Sequence, residues 1–182
     1  MQVQERLELQ RDCMAVRVPS GDQVILSKGA EVGIVQALGG SFTVQVHGML
    51  FRIDGDNADA LGKEPPPRPE VPENATEADV EAAIWDQMRT CYDPEIPINI
   101  VDLGLVYECL LERRDDAVSR KATIRMTLTA PGCGMGEVLA DDVRYKVTRV
   151  PTVDEADVYV VFDPPWSTDM MTDEAKLKLG VF

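Results

Sequence analysis

A proline-rich segment in the middle of the chain limits how the chain can fold. Five prolines fall within the twelve residues KEPPPRPEVPEN, from Lys63 to Asn74. Proline has a fixed φ and no backbone N–H donor, so such a run cannot continue a helix and favours an extended polyproline II conformation. We therefore predict a semi-rigid linker over residues 63–75, between a first domain at 1–62 and a second at 76–182.

The residues before the linker have the composition of short β-strands. The stretch DQVILSKGAEVGIVQALGGSFTVQVHGMLFRIDG is rich in β-branched residues and is divided by glycines. Gly39-Gly40 separates two strand-like runs, which is a common hairpin signal, and His47-Gly48 is typical of a second turn. This pattern predicts a small all-β domain, built as a barrel or a curled sheet.

After the linker, helical and strand-like patterns alternate. Thr76 begins a capping-box sequence, and apolar residues at helical spacing follow as far as Cys91. Strand-like stretches come next, a further helical pattern follows Cys133, and a short terminal helix is closed by Gly180. We predict an α+β protein, whose second domain is α/β-like with a small mixed sheet and packed helices.

Two strand-like stretches in the second domain indicate which side chains face the core. The first alternates so that one face carries Leu105, Tyr107, Cys109 and Leu111. The second has an apolar face, formed by Ile124, Met126 and Leu128, and an opposite face, formed by Thr123, Arg125, Thr127 and Thr129. Cys91 and Cys109 are therefore interpreted as small hydrophobic residues of the core.

Charge and composition exclude several classes of partner. The chain carries 32 acidic and 18 basic residues, a formal net charge of -14. This balance repels phosphate backbones and anionic lipid, so we expect neither nucleic-acid nor membrane binding. The N-terminus has no apolar signal region, and no apolar run approaches the roughly 20 residues of a membrane helix. We expect a soluble, cytoplasmic protein.

The four cysteines do not form a recognisable structural set. They lie far apart and form no CxxC pair, and His47 is the only histidine of the chain. This spacing argues against a disulfide framework and against a closed Cys/His zinc site.

Cys133 stands at a junction that favours a reactive thiol. In TLTAPGCGMGEVLADDV a strand-like run ends at Pro131 and Gly132, and a helical pattern begins just after the cysteine. The unpaired N–H groups of a helix N-terminus stabilise a thiolate, and Thr129 can add a hydroxyl donor. Such a sulfur suits metal ligation or nucleophilic attack.

Three carboxylates could assist this thiol. Asp93 and Glu95 lie in DPEIP after the first predicted helix, and Asp102 follows. These carboxylates could bind metal or orient a partner. The residue types fit a solvated, turn-forming acidic loop equally well. A Cys-His hydrolase is weakly supported, because His47 belongs to the other domain.

The second domain resembles a known family. The stretches YDPEIPINIVDLGLVYE, MTLTAPGCGMGEVLADDV and VYVVFDPPWSTDMMTDEAKLKLG are similar to the PaaD-like family of iron–sulfur maturation factors. The resemblance implies that Cys133 is the reactive cysteine. It also implies that the family's acidic loop corresponds to Asp93 and Glu95, its strand-start aspartate to Asp102, and its threonine before the cysteine loop to Thr129.

The first domain also resembles a part of that family. RDCMAVRVPSG, QALGGSFTV and FRIDGDNADALG are similar to the N-terminal extension of longer bacterial members associated with the SUF pathway. Because Cys13 lies in the RDC segment, it is a second and weaker candidate for the site.

The resemblance implies an accessory factor in iron–sulfur cluster assembly, which is not an enzyme and which helps to transfer or insert clusters into client apoproteins. A cluster normally takes four cysteine ligands, so one exposed thiolate per chain cannot hold one alone. We expect no tightly bound cofactor. A transient cluster would bridge two chains of a homodimer or be shared with a SUF assembly protein, a carrier or a client, with Cys133 as one ligand.

Two other functions fit the same residues. In the first, the protein is a cysteine-dependent enzyme with Cys133 as nucleophile, and Asp93 or Glu95 assists through water. In the second, it is an interaction module with no cluster, in which Cys133 only shapes a turn.

Overall fold

A computed structural model describes residues 3–93, 96–115, 118–130 and 135–181. The chain divides into two compact units, Met1–Pro67 and Arg68–Phe182. Each unit has its own cluster of buried apolar side chains. The protein is α+β, with a β-rich first unit and a small mixed sheet in the second, so the predicted fold class is confirmed.

The first unit is built on one antiparallel sheet of six strands. The strands are β1 Glu5–Glu8, β2 Cys13–Val18, β3 Gln23–Leu26, β4 Glu31–Leu38, β5 Ser41–Val46 and β6 Met49–Ile53. Their order across the sheet is β1-β4-β5-β6-β2-β3. A 3₁₀ helix, Gly55–Leu61, follows the last strand and supplies Ala60 and Leu61 to the buried cluster.

Glycines fix the two predicted hairpins of the first unit. Gly39 and Gly40 have φ of 61° and 78°, and they join β4 to β5. His47 and Gly48 have φ of 49° and 82°, and they join β5 to β6. Positive φ at both central positions matches the twist of the flanking strands, which is why these residue types stand there. Both turn predictions are confirmed.

The second unit packs helices on a three-stranded sheet. Its elements are α1 Glu77–Met88, β7 Val106–Arg113, β8 Arg120–Met126, α2 Gly136–Val147, β9 Val153–Val160, a 3₁₀ helix Thr168–Met170 and α3 Asp173–Leu179. β7 and β8 are antiparallel, and β8 and β9 are parallel with α2 as the crossover. Within the described ranges, no helix is both long enough and apolar enough to cross a bilayer.

The ends of the helices follow the predicted capping residues. Thr76 and Asp79 form a capping box at the start of α1, with the Thr76 N–H donating to the Asp79 carboxylate over 2.8 Å. Gly180 ends α3 with φ of 68°, a left-handed conformation that glycine adopts without strain.

The core face of the sheet agrees with the predicted pattern, with one correction. Ile124, Met126 and Leu128 are buried as predicted. On β7 the register shifts between Val106 and Glu108, so Val106 joins the core and the Tyr107 hydroxyl instead donates to the Pro164 carbonyl over 2.8 Å. The prediction for Tyr107 is wrong because this β-bulge interrupts the alternation.

Thr127 follows the last residue of β8. The strand ends at Met126, and Thr127 is fully buried. Strict alternation does not extend beyond the last paired residue of a strand, so the pattern could not place this side chain.

A buried ion pair joins α2 to the end of α1. The Lys146 ammonium donates to the Asp142 carboxylate over 3.0 Å and to the Thr90 carbonyl over 2.7 Å. Lys146 and Asp142 are both almost fully enclosed. Because Thr90 lies just beyond the last turn of α1, the Lys146 ammonium links the two helices.

We predict that the Arg68–Phe182 fragment folds without the first unit. Its buried cluster is drawn entirely from residues after the boundary, and residues 63–72 belong to no helix or strand. Circular dichroism of the isolated fragment should show a cooperative thermal transition. Absence of a transition would mean that the two units depend on a shared core.

Candidate functional site

Several loops of the second unit meet at one end of its sheet. The first residue of β7, Val106, pairs with the last residue of β8, Met126. Beyond that pair, the Thr127 N–H donates to the Leu105 carbonyl over 2.8 Å, and the Val161 N–H donates to the Met126 carbonyl over 2.8 Å. The segments before β7, after β8 and after β9 therefore lie together.

Asp102 lies on a tight turn just before β7. The Asn99 side-chain oxygen accepts the N–H groups of Val101 and Asp102 over 3.0 and 2.9 Å, and the Asn99 amide donates to the Asp102 carboxylate over 2.7 Å. These three bonds fix the carboxylate relative to the turn. Asn99 was missed from the sequence, although asparagine is a common turn residue whose side chain bonds backbone N–H groups further along the chain.

Asp93 is attached to the same turn. The Ile100 N–H donates to the Cys91 carbonyl over 2.9 Å, and Tyr92 forms an isolated β-bridge with Asn99. Asp93 follows that bridge and is buried. The structure thus places Asp93 and Asp102 on neighbouring segments, while Glu95 lies outside the described residues.

Thr129 marks one end of the segment that contains Cys133 in the sequence. It is partly exposed and stands two residues beyond the Leu105–Thr127 hydrogen bond. The helix α2 begins at Gly136, where an added Cβ would lie 2.8 Å from the Leu128 side chain. The start of α2 is therefore packed against the end of β8.

Cys133 itself lies outside the described residues. Met135 is the N-cap of α2 and makes no side-chain capping bond. The N-terminus of a helix stabilises an anionic group, and Cys133 precedes Gly136 by three positions in the sequence. The expectation of a lowered thiol pKa at Cys133 remains a prediction.

Thr127 is a further polar residue at this end of the sheet. Its side-chain hydroxyl is buried and has no hydrogen-bond partner within the described part of the chain. A buried hydroxyl without a partner costs about 1–3 kcal/mol. Apolar packing alone therefore does not explain why a threonine stands at position 127.

The other three cysteines are placed in apolar surroundings. Cys91 is fully buried in the core of the second unit, as predicted, and Cys109 is partly buried against that core. Burial, with a smaller contribution from the Glu81 charge, raises the pKa of Cys109 to about 11. Cys109 therefore favours the neutral thiol.

Cys13 is buried in the core of the first unit. Burial is the main reason that its pKa is raised, and the nearby Arg11 charge opposes this effect. The adjoining Arg11 makes two hydrogen bonds to the Asp59 carboxylate, of 2.7 and 2.5 Å. These contacts give the RDC segment a structural role in the first unit and weigh against Cys13 as a site residue.

The described residues hold no group of three or more His, Cys, Asp or Glu side chains that could bind a metal ion. A metal or cluster at this end of the sheet would therefore need ligands from the undescribed residues or from another molecule.

We predict that Cys133 is the first cysteine to react with an alkylating reagent near neutral pH. Thiolates react and thiols do not. A raised pKa keeps Cys109 protonated at neutral pH, and its labelling should increase only as the pH approaches about 11. Mass-spectrometric mapping of brief alkylation across pH would measure this order. Labelling of Cys91 or Cys109 before Cys133 would contradict the prediction.

Comparison with known proteins matches the part of the chain that contains these residues. A family model described as iron–sulfur cluster assembly protein matches residues 81–175, just over half of the chain. The range includes Asp93, Glu95, Asp102, Thr129 and Cys133, and it excludes Cys13.

Individual relatives match a similar share of the chain. A Porphyromonas gingivalis protein named Fe-S protein maturation auxiliary factor is 43% identical over 100 residues, which cover 55% of this chain and 90% of that protein. The Staphylococcus aureus Fe-S protein maturation auxiliary factor SufT is 43% identical over 89 residues, 49% of this chain and 96% of that protein. The matches span nearly the whole of these relatives but only about half of this chain, so the resemblance of its N-terminal segments stays a prediction.

Among solved structures, a domain of unknown function from Bacillus anthracis is 36% identical. The match covers 57% of this chain and 93% of that domain, with a TM-score of 0.49.

Proposed function

This chain belongs to the iron–sulfur cluster assembly protein family, and we propose that it helps to transfer or insert clusters into client apoproteins, with Cys133 as a shared and transient ligand. Relatives with 43% identity are named Fe-S protein maturation auxiliary factors, and we assign this chain the same auxiliary role. The cluster is the cargo of the protein.

The observation that carries this proposal is the meeting of the site segments at one end of the sheet. Backbone hydrogen bonds link the turn with Asp102 to the segment with Asp93 and to the end of β8, two residues before Thr129, and the start of α2 packs against Leu128. The sequence places Cys133 between Thr129 and the start of α2. At this end of the sheet the partly exposed Asp102 and Thr129 are open to an acceptor protein.

Shared ligation follows from the number of available thiols. A cluster normally needs four cysteine ligands. Cys91 is buried, Cys109 has a raised pKa, and Cys13 is buried in the other unit. Cys133 is then one ligand per chain, and the rest come from a second copy, a SUF carrier or the client. Incomplete ligation would make the cluster easy to release.

A non-enzymatic role is favoured by the lack of a histidine in the second unit, since His47 is the only histidine of the chain. A cysteine nucleophile usually needs an adjacent base to activate it. The partners are expected to be protein rather than nucleic acid or membrane, because the net charge is -14.

Anaerobic reconstitution with ferrous iron and sulfide tests the proposal. We expect the purified protein to be mostly free of cluster. Visible absorbance should appear on reconstitution, decay on gel filtration, and accompany a dimer or client complex in native mass spectrometry. A stable stoichiometric cluster in the monomer would contradict shared ligation. Turnover of small thioester substrates that depends on Cys133 would favour the enzyme instead.

A further inference from the structure

The segment after β9, residues 162–172, is held firmly against the turn that carries Asp102. The Trp166 indole N–H donates to the Leu103 carbonyl over 2.8 Å, and the Thr172 N–H donates to the Asp102 carbonyl over 2.9 Å. Gly104, with φ of 70°, lies so close that an added Cβ would stand 2.1 Å from the Met170 carbonyl oxygen. The segment is therefore a fixed wall beside the candidate site.

This wall presents apolar side chains to solvent. Phe162 is 45% exposed and Met170 is 36% exposed. The Tyr107 hydroxyl lies between their segments, 2.8 Å from the Pro164 carbonyl and 3.8 Å from the Met170 sulfur. We call Tyr107, Phe162, Asp163, Asp169 and Met170 the wall surface. Single exposed apolar residues are common, but apolar groups beside a candidate site can mark an interaction surface.

The two charged residues of the wall surface, Asp163 and Asp169, are both acidic. From Phe162 to Ala175 the chain has four acidic residues and no basic one. The next residue, Lys176, donates its ammonium to the Asp169 backbone carbonyl over 3.4 Å and leaves both carboxylates without a salt bridge within the described ranges. Asp163 and Asp169 are exposed, and their carboxylates form no ion pair within the described ranges. On the neighbouring sheet, by contrast, Asp157 pairs with Lys121 over 2.7 Å.

We propose that the wall surface docks a segment of a partner protein in which Lys or Arg side chains stand beside aliphatic or aromatic ones. Apolar side chains would cover Phe162 and Met170, and the cations would face Asp163 and Asp169. A second copy of this chain fits less well, because each copy has a net charge of -14. The identity of the partner as a cluster client or carrier rests on the proposed function.

A peptide titration of the full-length, ¹⁵N-labelled protein tests the docking surface. The probe is a synthetic peptide of about fifteen residues that alternates lysine pairs with leucine, and a glutamate–leucine peptide is the negative control. Amide shifts should change mainly at residues 102–107 and 162–173. The combined Phe162→Ser and Asp169→Asn substitutions should weaken binding by about tenfold or more.

The matched control replaces an exposed apolar and an acidic residue on the open face of β7. Leu110 is 47% exposed, so the Leu110→Ser and Glu112→Gln pair removes a comparable apolar group and one charge. Binding should change by less than about twofold. Equal weakening by both pairs, or shift changes spread over the whole acidic surface, would show non-specific attraction and overturn the proposal.

A Cys133→Ser variant separates this inference from the proposed function. Docking should persist in that variant, because the wall surface does not include the thiol. If reconstitution shows no role for Cys133 but the peptide still binds at the wall surface, the proposed function fails and the docking surface stands. If the peptide binds elsewhere, the docking proposal is wrong, whatever the result of cluster reconstitution.

Discussion

Replacing Asp142 by asparagine is expected to lower the free energy of unfolding of the second unit by about 3–5 kcal/mol. The substitution keeps the size of the side chain but removes the negative charge beside the buried Lys146 ammonium, which lies 3.0 Å away. A buried charge that loses its counter-charge keeps its desolvation penalty. The two tryptophans, Trp85 and Trp166, both lie in the second unit, so their fluorescence during urea denaturation reports on that unit.

A matched control lies on the same helix. Asp141 pairs with Arg144, and their side chains are 43% and 45% exposed, against 7% and 4% for Asp142 and Lys146. Asp141→Asn should therefore lower the stability by less than about 1 kcal/mol. The double substitution Asp142→Leu and Lys146→Met should recover most of the loss, since it removes both charges together. A loss below about 1 kcal/mol for Asp142→Asn would mean that water screens the pair.

Local signals in the sequence predicted much of the fold. Gly39-Gly40, Thr76 and Gly180 each determine a turn or helix end through their own backbone or side-chain chemistry, and the structure has those turns and ends. The position of Tyr107 depended on a β-bulge, which is set by the pairing of two strands and not by alternation within one. The buried pair of Lys146 and Asp142 could not be predicted, because a charged i,i+4 pair is also typical of an exposed helix face.

The candidate site was predicted in part. The acidic residues and Thr129 were selected from composition and family resemblance, and backbone pairing places Asp93, Asp102 and Thr129 at the same end of the sheet. Asn99 and Thr127 were missed because their roles depend on which loops meet there. Cys13 was selected by its position in the RDC segment, and only the structure gives that segment a packing role in the first unit.

Replacing Cys133 by serine is expected to abolish cluster reconstitution while leaving the fold intact. Serine has nearly the size of cysteine but is a poor ligand for iron, because its hydroxyl remains protonated near neutral pH. The sequence places Cys133 between Gly132 and Gly134 in a predicted turn, where a small residue contributes little packing, so the urea midpoint should be nearly unchanged. Visible absorbance after anaerobic reconstitution measures the loss, and activation of an apo client enzyme measures its consequence.

Cys109→Ser is the matched control, because it makes the same chemical change at a thiol that packs against the core. It should lower the stability, on the order of 1–3 kcal/mol if the hydroxyl finds no partner. It should also retain reconstitution, since burial already keeps the pKa of Cys109 at about 11 and its thiol protonated. The two variants thus separate ligation from packing. Normal reconstitution and client activation by Cys133→Ser, or their loss only in Cys109→Ser, would show that the cluster is not carried by Cys133.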